Sequence, residues 1–481
     1  MARADDEIDK TELSKFGYAQ DLFRAMGGFS SFALSFSVIS VVTGIITTYK
    51  DALSAGGPAG LGLGWPLVCV GTLAVAASLS ELSSAFPTAG ALYHWSSLLG
   101  GKGAGWMTAA VNLTGQVAIV AAIDFGLADQ LVGTLELNAS YTFRIYAGIL
   151  LSHAVVNLFW VRLVAVLNDF SATVHIIGVA VLVVLLFAFA RKHHAGYLAQ
   201  TGFTTRPDHH YGMGFLNSLL LGMFTFTGYD ASAHLAEETH DAARKSPLGI
   251  MSSVIVSAVV GYALLCGLTL GIDDLAATAD DKHAALKIMR DSLGPSAGRW
   301  SMALALFAMW FCGLASVTSA SRTLFAFARD RGVPHVLSHV SPTFKTPTYA
   351  VCTFFVAPLL LVALTSRLSD DVFPAVAAMS AMALYASYGM PIFFGLLARV
   401  SGKWRRQGPF TLGRAGTAVS VLSIIWCIFV NVVCGLPPNT LAGKLLVASL
   451  VVLLLLYFLV VRKRFEGPKV SLDELQSKPS D

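Results

Sequence analysis

Charge is what this sequence has least of. Lys, Arg, Asp and Glu make up 13% of its 481 residues, against 55% hydrophobic residues, and soluble domains carry about 25% charged residues. A water-soluble chain of this length needs polar helix faces and loops throughout. Here whole windows hold no formal charge: Ala25–Tyr49, Ala52–Ser80, Ile145–Val161, Ser246–Ile272, Val372–Ala398 and Ala415–Gly443. Each approaches or exceeds the ~20 residues that cross a hydrocarbon core. One such run could be a buried core helix, but about twelve cannot. The mean hydropathy of +0.66 agrees.

Other absences narrow the function. No G-x-x-x-x-G-K-[ST] phosphate loop occurs, and the longest polar connections are about 25 residues. An ATP-driven pump, a kinase-like sensor or a receptor with a large extramembrane domain is therefore excluded, and energy must come from a gradient if it is supplied at all. The six cysteines (Cys69, Cys266, Cys312, Cys352, Cys427 and Cys434) all fall inside apolar segments without metal-ligand spacing and read as packing residues. His153, His175 and His234 have no partner spacing suited to a metal or a nucleophile. No metal, no cofactor and no catalytic constellation is expected, so the chain reads as a non-enzyme. The net charge of +4 is spread over loops and gives no reason to expect a nucleic-acid partner. The first 24 residues lack the basic-then-apolar pattern of a cleaved signal, so the first span is expected to act as the insertion signal.

Charge-free runs and their polar borders predict twelve spans, near 25–50, 63–86, 104–132, 142–161, 168–190, 213–236, 246–272, 297–328, 348–366, 372–399, 414–434 and 441–461. The eighth is long and is expected to project into the cytoplasm. About two thirds of the lysines and arginines fall on one side if the N-terminus is cytoplasmic, which orients both termini inward. A multi-pass protein of the plasma membrane is expected, with tails at 1–24 and 464–481. The longer outer loop Asp273–Arg299 is amphipathic and should carry a short surface helix. The basic clusters Arg399–Arg406 with Arg414, and Arg462–Arg464, suit anionic membrane lipids.

Two spans depart from an ordinary apolar helix. Span one has serines at 30, 31, 35, 37 and 40, then Thr43-Gly44; span six has Thr225, Thr227-Gly228 and Asp230. Thr-Gly steps deep in the membrane, five spans apart, are the trace of a five-plus-five inverted repeat whose first and sixth helices are unwound at the midplane. Irregular backbone at that depth is tolerated only where it lines a cavity. The half-helix after the first break offers N–H groups to a carboxylate, and carbonyls freed in span six can receive an ammonium. The alternative is that Gly44 and Gly228 simply allow helices to approach closely.

FALSFSVISVVTGI, ELSSAFPTAGALYHW, NLTGQVAIVAAIDFGLA, FTFTGYDASAHLAEET and SVTSASRTLFAFARDRGVP resemble the amino acid–polyamine–organocation superfamily, in order from about residue 20 to 465. The resemblance is nearest to its amino acid/choline branch of GABA, choline and bidirectional amino acid permeases. It implies an all-α membrane protein with a LeuT-like fold, whose repeats lie at 25–190 and 213–399 with two further spans at 414–463. It also implies alternating access to a central site for an amino acid or a GABA-like amine, with choline or a polyamine as the alternative substrate.

Site residues follow from the same resemblance. Val42, Thr43, Gly44 and Ile45 match the family's carboxylate loop, with less glycine than most members. Phe224 stands where an aromatic lid covers substrate, with Thr225, Thr227 and Gly228 around the second break, and Asp230 matches a frequent acidic position. On span three, Asn112 and Gln116 share a face; Asp124, two turns on, either recognises the substrate amine or makes structural hydrogen bonds. His175 on span five stands where many sodium-independent relatives carry lysine. It either couples transport to protons between spans one and eight or is a structural histidine bonded to a carbonyl. Ser316 and Ser319 of span eight could ligate sodium or bond their own helix. Glu81, Glu237, Glu238, Arg322 and Arg329 either form an inner gate or edge the membrane; the resemblance favours gating for Arg322.

Other classes fit less well. A major-facilitator carrier needs a basic loop after span two and a long central loop after span six, and here these hold only Lys102 and Glu237–Lys245. A channel needs a repeated filter motif, and a membrane enzyme needs clustered histidines or acids near one interface.

Overall fold

The computed structural model describes residues 13–18, 24, 26–159, 161–205, 210–369 and 371–477. Among these residues, eleven helical segments are long and apolar enough to cross a membrane. A twelfth crossing is built from three short helices, Tyr211–Ser218, Leu220–Thr225 and Ala231–His234. It is span six.

Span one comprises Gly28–Ile39 and Val41–Gly62. Its second part runs past the expected end because Gly57 turns the backbone at φ +59° and Pro58 restarts a helix. Proline suits a first helical position, where its missing N–H has no intrahelical partner anyway. Span eight is extended in the same way. Ala284–Arg329 bends at Gly294 (φ +83°) and Pro295, so the second half of the outer loop 273–299 is helix leading into the span. The first half holds the short helix Leu275–Asp280, whose N-cap Asp274 accepts from Ala277 N at 3.0 Å, the usual work of an aspartate there.

Span two is Gly64–Ala85, span three Lys102–Thr134, span four Thr142–Phe159, span five Val161–Leu185 and span seven Ala242–Leu270. Spans nine to twelve are Thr348–Thr365, Val372–Val400, Gly416–Gly435 and Thr440–Leu456. Spans one, two, three, eight and ten are mostly buried, whereas 6% of the apolar window of span twelve is covered. Val181 and Val184 on span five, Phe189 just beyond it, and Val451 and Leu455 on span twelve lie on the surface. An outer face this apolar, larger than soluble monomers tolerate, is a lipid-facing surface. The interior is instead rich in buried Ser, Thr, Tyr and acidic groups.

Spans one and six cross at the centre, antiparallel. The first half of span one meets the second half of span six, where Ser35 Oγ donates to Tyr229 O at 2.8 Å and Ser232 Oγ to Ser31 O at 2.6 Å. The second half of span one meets the first half of span six, where a Cβ on Gly44 would overlap the Thr225 side chain.

Candidate functional site

The break in span one is at Ser40. This residue takes left-handed backbone angles, φ 35° and ψ 79°, a conformation that costs most side chains about 1–2 kcal/mol. The expected unwound stretch at Thr43-Gly44 is instead the first turn of the second half-helix, since Gly44 N already bonds Ser40 O at 3.1 Å. Serine supplies what glycine does elsewhere: its hydroxyl meets Thr43 Oγ1 at 2.6 Å and helps hold the turn. Val42, Thr43, Gly44 and Ile45 are all buried at this helix start. The first N–H groups of a helix have no intrahelical acceptor, so the gap between the half-helices faces the positive end of a helix dipole.

Span six opens after Thr225. Phe226 leaves the helix at φ −85°, ψ 60°, and Gly228 sits at φ +78°, with Val38 of span one where a Cβ would be. Gly228 thus serves both readings, unwinding and close packing, whereas Gly44 serves close packing alone. Two tyrosines of span ten brace it. Tyr385 donates to Phe226 O at 2.9 Å; the Tyr388 hydroxyl accepts from Gly228 N at 2.9 Å and donates to Asp230 Oδ1 at 2.8 Å. The other Asp230 oxygen lies 2.9 Å from His234 Nε2. Asp230 therefore organises the broken backbone; its carboxylate faces Tyr388 and His234. Of the carbonyls expected to meet an ammonium, Phe224 O receives Thr227 Oγ1 at 2.7 Å and Tyr229 O receives Ser35. Thr225 likewise bonds back to Leu221 O at 2.6 Å. Phe224 is buried and meets Phe373 of span ten edge-on at 5.9 Å.

Several sequence candidates point elsewhere. Gln116 donates to Asn112 at 2.8 Å and Thr323 at 3.3 Å, and Asn112 donates to Ser387 at 3.0 Å, tying spans three, eight and ten together. Asp124 faces span four, 3.1 Å from His153 Nδ1. His175 does lie behind span one, but its ring meets the Phe36 edge at 5.2 Å and its Nε2 has no partner among the described residues. The expected approach to Ser316 and Ser319 is not what holds those residues. Ser316 donates to Cys312 O at 2.8 Å and Ser319 O accepts Thr323 at 3.2 Å, the self-bonding habit of helical serines and threonines.

Paired charges are buried at one end of the helix bundle. Arg322 Nε meets Glu238 Oε1 at 2.9 Å, and Arg329 binds Glu237 through two bonds of 3.0 and 2.9 Å. Next to them Asp330 accepts from Tyr18 at 2.8 Å and Tyr93 at 2.9 Å and lies 3.0 Å from His94 Nε2. The Arg329 guanidinium covers the Tyr18 ring at 4.2 Å. Burial opposes the charge on Asp330, but bonding to His94 and Tyr18 and the nearby Arg329 overcome it and hold its carboxyl below the usual range. Glu237 is likewise held low, with Arg329 outweighing its burial. Glu81 pairs with Arg399 of span ten and accepts from Leu412 N at 3.0 Å, which ties it to the span 10–11 loop. Tyr18, Tyr93, His94 and Asp330 were missed in the sequence because nothing in it brings residues 76 to 312 positions apart together. The one local hint is a Tyr-His pair in the polar stretch after span two.

The opposite end is hollow. A cavity of about 220 Å³ is lined by Lys50, Asp51, Asn217, Asp371 and Asn439. A narrow continuation reaches Thr48, Leu221 and Phe373, the last of these the ring against which Phe224 rests.

Known proteins place this geometry. The profile of the family described as "Amino acid permease" matches residues 26–460. The chain is 34% identical to the amino-acid permease BAT1 homolog of Oryza sativa subsp. japonica, over 96% of this chain and 95% of that protein. It is 33% identical to amino-acid permease BAT1 of Arabidopsis thaliana, over 95% and 96%. With the GABA-specific permease of Saccharomyces cerevisiae it shares 26% identity, over 97% of this chain and 86% of that one. A multi-pass helical protein with paired helix breaks, matched end to end by these relatives, belongs to the amino acid permease family.

Proposed function

We propose that this permease is a secondary carrier that moves a compact amino acid, or a GABA-like amino compound, by alternating access around the two breaks. The observation that carries the reading is their juxtaposition. The N-terminal dipole end of Val41–Gly62 and the C-terminal end of Leu220–Thr225 offer opposite partial charges side by side, suited to carboxylate and ammonium respectively. The asymmetry of the ends supports it: a cavity at the Lys50 end, and at the other a buried seal of Arg322–Glu238 and Arg329–Glu237. Phe224 against Phe373 is the lid between cavity and breaks. We place the sealed end in the cytoplasm of a plasma-membrane protein, following the lysine and arginine bias, and the two five-span units at 25–190 and 213–399. The names of the relatives, amino-acid permease BAT1 and GABA-specific permease, make amino acids and GABA the first compounds to try.

Purified protein in liposomes, given labelled amino acids, GABA, choline and putrescine at two pH values, tests the proposal. Saturable uptake of an amino acid, competed by others bearing both an ammonium and a carboxylate, is expected. Full competition by choline or putrescine with none by any amino acid would remove the carboxylate half of the reading.

A further inference from the structure

A second buried polar centre lies beside the breaks. Asp124 of span three and His153 of span four are both wholly buried, with His153 Nδ1 3.1 Å from Asp124 Oδ2. A carboxylate only accepts, so the neutral imidazole carries its proton on Nδ1 and presents a lone pair at Nε2. Neither Nε2 nor Asp124 Oδ1 has a hydrogen-bond partner among the described residues. Buried polar atoms are nearly always satisfied, and ionisable groups inside a membrane are costly and tied to function. This pair leaves two capacities open at once.

Span eight lies directly on it. A Cβ on Gly313 would overlap Asp124 Oδ1, and the Trp310 ring packs on the imidazole at 5.1 Å. The neighbouring Cys312 Sγ meets Val38 O at 3.2 Å, two residues before the break at Ser40. Consecutive residues of one helix thus touch the pair and the broken backbone of span one. Further along, Thr318 of span eight donates to Asn157 of span four at 2.8 Å. Tyr146 of span four and Cys312 also lie within electrostatic reach of Asp124. From the remaining neighbours, Tyr385 and Tyr388 face span six, His175 and Asp169 of span five face Phe36 and Ser30, and Asp129 is paired with Lys282. Tyr349 and Cys352 of span nine are exposed.

We propose that the Asp124–His153 pair is a proton-binding site that couples proton movement to amino acid transport, an inference resting on the carrier reading above. A proton from water adds to Nε2 and later leaves from the same atom. Loaded, the pair is carboxylate and imidazolium, with no net charge; empty, it holds one uncompensated negative charge. The two forms thus differ by one charge, which in the empty form only water can compensate. Release needs water at Nε2, and water arrives when span eight and the broken part of span one draw apart. That dependence is the differential affinity by which a ligand shifts a conformational equilibrium.

The full-length protein in liposomes, with a labelled amino acid it transports, gives three readouts: counterflow at equal pH, accumulation driven by acid outside, and substrate-dependent proton entry reported by an internal dye. Wild type is expected to show all three. His153→Gln and Asp124→Asn are expected to lose ten-fold or more of the driven accumulation and dye signal. Their counterflow should fall less than three-fold and lose its pH dependence. The double variant D124N/H153Q keeps an amide pair across the two helices, in case a single variant does not fold. Wild-type transport without proton entry overturns the proposal, and so does a wild-type pH profile in His153→Gln. Equal loss of counterflow and accumulation in every folded variant, or failure of all three to fold, marks a purely structural pair and also overturns it. Wild type that shows no counterflow of any amino acid sinks the carrier reading instead.

Discussion

Arg322 of span eight and Glu238, just past span six, form a 2.9 Å ion pair with both side chains almost wholly buried. Removing one partner of such a pair leaves a buried charge uncompensated and typically costs about 3–5 kcal/mol. Arg322→Ala and Glu238→Ala should therefore each lower the yield of folded protein, read by fluorescence-detected size exclusion in detergent. Replacing both with apolar residues, Arg322→Met with Glu238→Leu, should recover much of that yield. Transport should stay impaired, because an apolar seal cannot be reopened by water in the way an ion pair can. A double variant no better folded than the single ones would show that the charges themselves hold the fold.

The two break glycines should fail for different reasons. A Cβ on Gly44 meets only the Thr225 side chain, so Gly44→Ala should be rescued by Thr225→Ala. A Cβ on Gly228 meets Val38, but the backbone there is also at φ +78°, which costs a residue with a Cβ about 1–2 kcal/mol whatever the space. Val38→Ala should rescue Gly228→Ala only in part. Thermal stability and initial uptake rates of the four variants give the comparison, and equal rescue at both sites would show that crowding alone sets the glycine requirement.

That difference also marks what was legible in the sequence. Twelve crossings could be read because hydrocarbon thickness sets a length that charge-free runs either reach or do not. The span-six break could be read because Gly228 needs positive φ and its surroundings are polar. The span-one break was placed three residues late, since Ser40, which carries the turn, looks like its neighbours Ser35 and Ser37. Its left-handed backbone is not a conformation that serine in this pattern announces. Asp124 was visible as an intramembrane charge, but its partner His153 lies 29 positions away on another helix. The Tyr18–Tyr93–His94–Asp330 cluster was invisible for the same reason.

That cluster makes the sealed end sensitive to acid. The Asp330 carboxyl is held below its usual range, its burial outweighed by bonding to His94 and Tyr18 and by Arg329. A lowered folded pKa means the stabilisation is fully present above the unfolded value of ~3.9 and is lost as pH falls through the folded one. Between pH 5 and 8 this group should leave stability flat. Below about pH 4 wild type should lose stability faster than Asp330→Asn, by roughly the 1.5–3 kcal/mol of a hydrogen bond to a charged group. Melting temperatures in detergent across that range measure the difference. Parallel curves for the two proteins would show that the Asp330 charge does not contribute to the seal.

His175 offers the sharpest contrast with His153. Both are buried, with an Nε2 that has no partner among the described residues, and the sequence left His175 as either a coupling residue or a structural histidine. Its surroundings differ in the one respect that matters for holding a proton. The His153 ring is bonded to a carboxylate, so an added proton meets a compensating charge, whereas the His175 ring rests edge-on against Phe36 at 5.2 Å, with Ala33 and Ala172 in the same apolar cluster. Among the described residues His175 forms no ion pair, and an isolated buried cation is among the costliest groups a protein can carry. We propose that the ring at 175 fills the space behind span one and does not carry the proton. His175→Leu, similar in bulk and unable to titrate, should keep the pH profile of uptake and most of its rate, while His175→Ala should lose stability through the cavity it leaves. Measured beside His153→Gln in the same liposomes, the pair of variants assigns the coupling. A flattened pH profile in His175→Leu, with His153→Gln unaffected, would return the proton to span five.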